Sequence, residues 1–525
     1  MKFIYDPPSE VKINKMKQRV RWQESCIKAR SIDQTQLVIE DQGAHQPEFS
    51  FLVIGDSGCG EHLGHNPQRQ ITEMMLSHYD QIQFLLHTGD VIYQVGSSEY
   101  YYKNFICPYR EFLVGGEGDK IKAYTEMVFN KPFLTVPGNH DYYDLPIIYG
   151  FLFQVIWPLR HLLKNKIDLD VGWHGSHQGE AYAEAFLDYL LKYNNNKQLE
   201  THLDSHYTAQ MGNARCLRYQ PGQFTRLPNR YYTFRYGGID FFALDSNTFN
   251  EPEPIPQTRE GEALRRQLML QLNELEFSKQ DILEKSSELD PNHPEQAEQL
   301  DDYRGKLNQI EETQQDIEKR LKYKKVVVDF EQLNWLKNQL IESWHTEEVR
   351  GRILFFHHPP YVTEATKYNH GETLAIRRRL REVFDQIDKE VKQLRGNRPL
   401  VDLVLCGHAH CLEYLYTENT GHADSNINWI ICGGSGHSLR RQKKDGPILS
   451  ESTLDDQIRP TQPREIGRSK LFVGRNGRSR SKRRPYSFLR IDVKEGTPPQ
   501  LIIRPFVAER YQHQWNNYSL EPFTL

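Results

Sequence analysis

Short apolar runs closed by glycine or proline turns recur through this chain and set its predicted architecture. Residues 49–54, 82–86, 132–136, 352–356, 400–406, 428–432, 487–493 and 500–507 read as strands. Residues 230–236 and 239–245 read as a two-stranded meander turning at Gly237-Gly238. Between strands a helical spacing returns. Ile71, Met74, Met75 and Tyr79 predict a helix over 68–79, and residues 100–129 read as helical with breaks. A strand or turn at 326–328 leads into a helix at 330–340 that carries Trp335 and Leu336. Strands alternating with helices predict an α/β fold, and an Asp at the carboxyl end of a parallel strand lies where such sheets bind ligands.

Other stretches break this pattern. Residues 1–47 are polar, with Lys12, Lys15, Lys17, Arg19 and Arg21 close together, and read as a solvated N-terminal extension or, alternatively, an anion-binding arm. An apolar stretch at 147–163 is interrupted by Gly150 and Pro158 and carries Arg160, too broken for a membrane span, so it reads as a buried or partner-facing helical insert, with a membrane-surface element as the minority alternative. Residues 164–228 are polar and read as helical. His174, His177, His202 and His206 are taken as surface histidines, because no carboxylate or cysteine stands at tight spacing beside them. At 250–323, Leu264, Leu268, Leu272, Leu275 and Ile282, then Leu300, Tyr303, Leu307, Ile310, Ile317 and Leu321, follow a three-four rhythm. That predicts a helical hairpin serving as a packing or oligomerisation arm, against a lid or partner-docking element. Across 440–485 basic residues outnumber acids, which predicts a flexible solvated loop, with an anion-attracting lip as the alternative.

Composition narrows the class a little further. With 38% hydrophobic and 26% charged residues among 525, the chain is globular and has a core to bury. A net charge of −4 gives no drive toward nucleic acid or an anionic membrane, and neither is expected as a partner. The cysteines are scattered without metal-finger spacing, and the polar N-terminal segment has no apolar signal region, so a cytoplasmic protein is expected.

The ends of the apolar runs carry the chemistry. Residues 49–54 lead into Gly55-Asp56-Ser57-Gly58, and 82–86 into His87-Thr88-Gly89-Asp90-Val91-Ile92-Tyr93. Residues 132–136 lead into Pro137-Gly138-Asn139-His140-Asp141, 352–356 into His357-His358-Pro359-Pro360, and 400–406 into Gly407-His408-Ala409-His410. A carboxylate has two oxygens and can bridge two cations, which makes Asp90 a candidate bridge; a phenolate suits one hard cation, which makes Tyr93 a candidate terminal ligand. His408 and His410, with one residue between them, can reach one pocket and take one metal each. A lone histidine after a strand is ordinarily structural, but five such loops in one chain point to a dinuclear site built from Asp56, Asp90, Tyr93, Asn139, His357, His408 and His410. Asp245 also ends a strand and is read as structural.

The ordered set Gly-Asp-Ser-Gly, Gly-Asp-Val-Ile-Tyr, Gly-Asn-His-Asp, His-His-Pro-Pro and Gly-His-Ala-His resembles the calcineurin-like metallophosphoesterase superfamily. Its tyrosine is similar to that of the purple acid phosphatase branch. Other members place a histidine two residues after the first Asp, where this chain has Ser57-Gly58. The resemblance covers roughly 50–245 and 325–440. It implies a four-layer αββα sandwich of two mixed sheets, a dinuclear site at the strand carboxyl ends, and helical insertions. The catalytic domain is then 48–525, with insertions at 145–228 (mostly helical), 250–323 (the hairpin) and 440–485 (the basic loop).

By motif, one metal would be held by Asp56, Asp90, Tyr93 and His410, and the other by Asp90, Asn139, His357 and His408. Either His357 or His358 could be the ligand of its pair, and the motif favours His357. The resemblance further implies that His140 stabilises the transferring group and protonates the leaving oxygen, that Asp141 orients His140, and that His370 lies near the substrate. It pairs iron with iron, zinc or manganese, and a reducing compartment leaves a di-manganese centre open. The implied activity is phosphomonoester hydrolysis; a phosphodiesterase or nucleotide hydrolase is the alternative, and a scaffold with a vestigial site a distant third. The implied partner is a phosphoester substrate, with an oligomer through 250–323 left open.

Overall fold

The computed structural model describes residues 4–41, 43–62, 65–118, 123–145, 175–290, 292–322, 325–452, 462–477 and 481–525. The apolar stretch at 147–163 and His174 lie outside the described residues. Two mixed β-sheets organise the molecule. One runs β13 (Ile448–Glu451), β14 (Arg464–Val473), β11 (Leu412–Thr417), β12 (Asn428–Cys432), β10 (Leu403–Cys406), β9 (Gly351–Phe356), β8 (Ile239–Ala243), β7 (Tyr232–Tyr236), β1 (Ile32–Ile39), β6 (Ala214–Tyr219) and β5 (Ala209–Met211). The other runs β17 (Gln514–Ser519), β16 (Leu501–Tyr511), β15 (Arg483–Val493), β2 (Phe49–Ile54), β3 (Phe84–His87) and β4 (Phe133–Thr135), with β18 (Phe523–Thr524) beside β16.

Most parallel strands of both sheets are the apolar runs; β1, parallel to β6 and β7, is the polar exception. Every residue of β2, β3, β4, β8, β9 and β10 is buried, as strands covered on both faces must be. The strands β2, β3 and β4 pair in parallel, as do β8, β9, β10 and β12. The two sheets meet through aromatic side chains: Phe51 lies 5.6 Å from Phe241, and Phe84 5.8 Å from Phe234, both edge to face.

The helices are α1 (Ser9–Arg19), α2 (Ser25–Lys28), α3 (Pro67–Leu76), α4 (Glu180–Phe186), α5 (Asn196–His206), α6 (Arg259–Ser287), α7 (Pro294–Lys322), α8 (Phe330–His345) and α9 (Gly371–Arg395). Asn66 caps α3 by accepting the Arg69 N–H at 2.9 Å, with Pro67 at its first position. Helix α3 lies against β15 and β16. Leu333, Leu336 and Leu340 of α8, with Ile376, Leu380 and Phe384 of α9, share a core with Phe242, Leu354, Val404 and Ile431 of the larger sheet. Helices α6 and α7 form the hairpin expected at 250–323. Their contact buries Leu268 and Ile317, while Met269, Leu270 and Phe277 stay exposed on α6. No helix among the described residues is long and apolar enough to cross a membrane.

Four expectations change. Residues 1–47 are not a solvated extension: β1 lies inside the larger sheet between β7 and β6, Met16 and Val20 are fully buried, and Lys12 is buried against Asp6 at 2.7 Å. The described part of 145–228 is only partly helical, since β5 and β6 form the sheet edge. His202 is not a surface residue; it is buried, 2.9 Å from both oxygens of Asp188. The described part of 440–485 is not a free loop, because it contributes β13, β14 and the start of β15, and Arg440, Arg475, Lys482 and Arg484 are engaged by α7. Asp302 of α7 meets Arg475 at 2.7 Å, Arg484 at 2.9 Å and Lys482. Glu298 meets Arg484 at 2.5 Å. Charge pairing of this kind lets a polar segment pack without an apolar pattern.

Candidate metal centre

All five donor-bearing loops leave strand ends. Asp56 lies two residues beyond β2, Asp90 and Tyr93 beyond β3, Asn139 beyond β4, His357 directly beyond β9, and His408 and His410 beyond β10. The seven side chains meet in one place, none more than 5% exposed. Tyr93 Oη donates to Asp90 Oδ2 at 2.7 Å and lies 3.0 Å from Asp56 Oδ1 and 3.3 Å from His410 Nε2. Asn139 Oδ1 lies 3.0 Å from His357 Nε2 and 2.9 Å from His408 Nδ1. His357 Nε2 is 3.3 Å from Asp90 Oδ2, and His410 Nε2 is 3.6 Å from Asp56 Oδ1. The contacts thus fall into two groups that share Asp90. His357 is the member of its pair that meets Asp90 and Asn139, while His358 still offers a donor atom within 4.8 Å of those of His357 and His408. His357 Nδ1 donates to Thr88 O at 2.8 Å, whereas His358 Nδ1 is held by Ser246 Oγ at 2.8 Å.

The backbone is bent to make this convergence. Asp56, Asp90 and His408 have φ of +55°, +56° and +66°, a left-handed conformation that costs non-glycine residues about 1–3 kcal/mol each. Gly89, at φ +96°, lets the loop pass His357: a Cβ there would stand 2.7 Å from its Nδ1. The Asp56 N–H donates to Gly89 O at 3.0 Å, which ties the first two loops together.

Electrostatically the cluster holds two carboxylates and a phenol out of water beside the His408 and His410 imidazoles, which burial and the nearby Lys367 and Arg440 keep from charging. Burial pushes Asp56 up to about 7, with His357 opposing and Asp90 adding to the rise. Burial, then Asp56 and Asp90, hold the Tyr93 phenol well above its ordinary value. Against the burial that would lower it, Asp90 lifts His357 to about 9, so a proton on His357 balances that carboxylate. His408 Nε2 is buried and makes no hydrogen bond among the described residues. Carboxylates, a phenol, an amide oxygen and imidazoles are hard-to-intermediate donors, and this set with a bare imidazole nitrogen fits divalent or trivalent cations.

His140 is half-buried beside this cluster, its ring 4.2 Å from that of Tyr93. Its Nδ1 donates to Gln94 O at 2.6 Å, and its N–H to Asp90 Oδ1 at 2.9 Å. Asp141 does not orient His140. Its carboxylate accepts the N–H groups of Val91 at 3.0 Å, Ile92 at 3.2 Å and Gly138 at 2.8 Å, locking two of the loops instead. His370 is buried, 3.4 Å from Asp316 Oδ1 of α7, and it offers a donor atom within 4.8 Å of His408 and Glu372. Asp245 is structural as read, accepting from Tyr142 Oη at 2.7 Å and Arg230 at 3.2 Å.

Sequence reasoning passed over several neighbours. His87 Nε2 meets Ser57 Oγ at 2.9 Å beneath the first loop. The His437 ring lies 4.3 Å from both Tyr93 and His410. Lys367 and Arg440 are buried and held by Glu312 of α7 at 2.9 and 3.4 Å. Only the position of His437, just beyond the Gly433-Gly434-Ser435-Gly436 turn that ends a predicted strand, carried a signal of the kind used for the other loops.

No protein-family model and no curated protein matches this chain. Among solved structures it is similar to the purple acid phosphatase PPD1 from yellow lupin (Lupinus luteus) seeds, at 12% identity over 92% of this chain and 54% of that one, with a TM-score of 0.40. It is also similar to GAP50, the anchor in the inner membrane complex of Plasmodium, at 11% identity over 90% and 88%, with a TM-score of 0.37. The chain spans about half the length of the lupin structure. Likenesses at this level carry no argument about activity.

Proposed function

We propose that this chain is a metal-dependent phosphoric ester hydrolase, a phosphomonoesterase in which Asp56, Asp90, Tyr93 and His410 would hold one cation and Asp90, Asn139, His357 and His408 a second. In this reading the two facing sheets and their outer helices make a four-layer sandwich with the centre at its strand ends. The observation that carries the reading is the meeting of seven donors from five separate loops, three of them on left-handed backbone, with two carboxylates and a phenol in mutual contact out of water.

Two bound cations would supply the Lewis acidity that makes water nucleophilic near neutral pH and draws in a phosphate dianion. The protein's own part is orientation and proton handling. Thr88 O fixes the His357 tautomer so that Nε2 faces Asn139 and Asp90. The Gln94 carbonyl keeps a proton on His140 Nδ1, so Nε2 is the atom that, when the ring carries a second proton, gives it to the leaving oxygen and is left bare. Asp141 holds the Asp90 and Asn139 loops in register through their backbone N–H groups.

The Tyr93 phenol favours a hard, trivalent ion at its position, so iron paired with a divalent metal is the expected content, with manganese as the substitute. The test is hydrolysis of p-nitrophenyl phosphate against bis-p-nitrophenyl phosphate by protein stripped and reloaded with iron, zinc or manganese. The reading expects metal-dependent turnover with the monoester preferred. Protein that takes up metal and hydrolyses neither ester would contradict it.

A further inference from the structure

A second set of buried donors lies away from the strand-end cluster, where α7 meets the loop between β2 and α3. His62 and His65 of that loop and Asp301 of α7 are all buried, and one donor atom from each lies within 4.8 Å of the other two. His62 Nε2 stands 3.0 Å from Gly436 O, an atom that can only accept, so a neutral His62 carries its proton there and presents a bare Nδ1. That Nδ1 lies 3.0 Å from Asp301 Oδ1. A lone pair and a carboxylate oxygen at this separation need a positive charge, either a proton on Nδ1 or a cation held by both.

Two features favour the cation. An ion pair needs one imidazole, yet the chain brings a second buried one to the same carboxylate. The His62 and His65 ring centroids are 4.9 Å apart. Zinc–nitrogen bonds of about 2.0–2.1 Å in tetrahedral geometry set two coordinated imidazole centroids ~5 Å apart. The surroundings supply the usual outer contacts of a metal site. Gly436 O fixes the His62 tautomer, and Arg484 approaches the other oxygen of Asp301 at 3.8 Å. Cys59 Sγ lies 3.2 Å from His62 Nε2, on the opposite edge of that ring, and is not counted as a ligand.

We infer that His62, His65 and Asp301 hold a zinc-class divalent cation that staples the second helix of the hairpin to the loop carrying Asp56. Three protein ligands leave the fourth position to water. The site stands on its own residues and does not depend on phosphatase activity.

The test uses the full-length protein stripped with a chelator, reloaded with cobalt(II) and dialysed, beside His65→Ala and Asp301→Asn. Each variant is expected to bind one equivalent fewer than wild type. The wild-type minus His65→Ala difference spectrum should show the visible bands of tetrahedral cobalt, and added zinc should raise the Tm of wild type more than that of His65→Ala. Asp90→Asn should keep the cobalt bands while losing metal from the other cluster, so the two sites fail separately. If Asp301→Asn does not fold, His65→Ala, which leaves the His62–Asp301 contact intact, carries the test. Equal metal content and identical spectra in wild type and folded His65→Ala would overturn the assignment and leave a proton-bridged ion pair.

Discussion

Where α7 crosses the basic segment, Asp302 meets Arg475 and Arg484, and Glu312 meets Lys367 and Arg440; at the strand ends, Asp56, Asp90 and Tyr93 lean on one another. Both assemblies are buried and both are built from charged side chains, but their balance differs. The first is complete as folded. Lys367 and Arg440 more than offset burial and hold Glu312 down at about 2, ionised at any ordinary pH. The second drives Asp56 up to about 7 and needs a proton on His357 to balance Asp90. Buried opposite charges that satisfy one another need nothing added, whereas carboxylates buried together draw in positive charge, from a proton or from a bound cation.

Substitutions should separate the two assemblies. Asp90→Asn removes the shared donor and should lower kcat/KM for p-nitrophenyl phosphate by at least ~10³-fold, read by steady-state kinetics. His140→Ala should retain its metal by elemental analysis and lose about 10²–10⁴-fold in kcat, because the group that protonates the leaving oxygen is gone while every proposed ligand remains. Glu312→Gln should act the other way round. It leaves Lys367 and Arg440 buried beside a neutral partner, so urea denaturation should show a loss of about 3 kcal/mol, with kcat within ~10-fold of wild type.

The pH response gives the smallest and most diagnostic contrast. The folded pKa of Asp56 lies above its unfolded value, so the native state binds the extra proton between about pH 4 and 7, and stability falls as pH rises through that window. His357, also raised, is fully stabilising below about pH 6.5, and its contribution is lost as pH rises toward 9. His408 and His410, both held below the ordinary imidazole value chiefly by burial, act in the opposite sense below about pH 6.5, so the loss is read above it: chelated protein should lose Tm from about pH 6.5 to 9, and metal-loaded protein should not. Glu312 is depressed, so its contribution is present above its unfolded pKa of about 4.3 and disappears as pH falls toward 2, with or without metal.

The strand-end cluster was legible because its two layers of information coincide in the sequence. Continuous apolar runs such as 49–54 and 352–356 predict buried strands, and the donors follow them directly, so strand order alone carries Asp56 and His357 to one end of the sheets. The α7 interface was not legible, because pairing between Asp302 and Arg484, far apart along the chain, leaves no periodic trace. The same holds for β1, where Gln34 and Thr35 are buried in a polar-looking segment, and for α9, which buries Arg377, Arg379 and Arg381 against carbonyls and carboxylates. Asp141 shows a third kind of miss. Its place beside His140 suggested an orienting role, but neighbours in a tight turn point apart, and its carboxylate serves backbone N–H groups instead.

The most direct measurement of the central claim is the metal content of wild type and Asp90→Asn, each reloaded with the same cation, freed of loosely bound ions and checked for folding. The account predicts that wild type retains at least one tightly held equivalent that Asp90→Asn has lost. Identical metal content in the two proteins would contradict it.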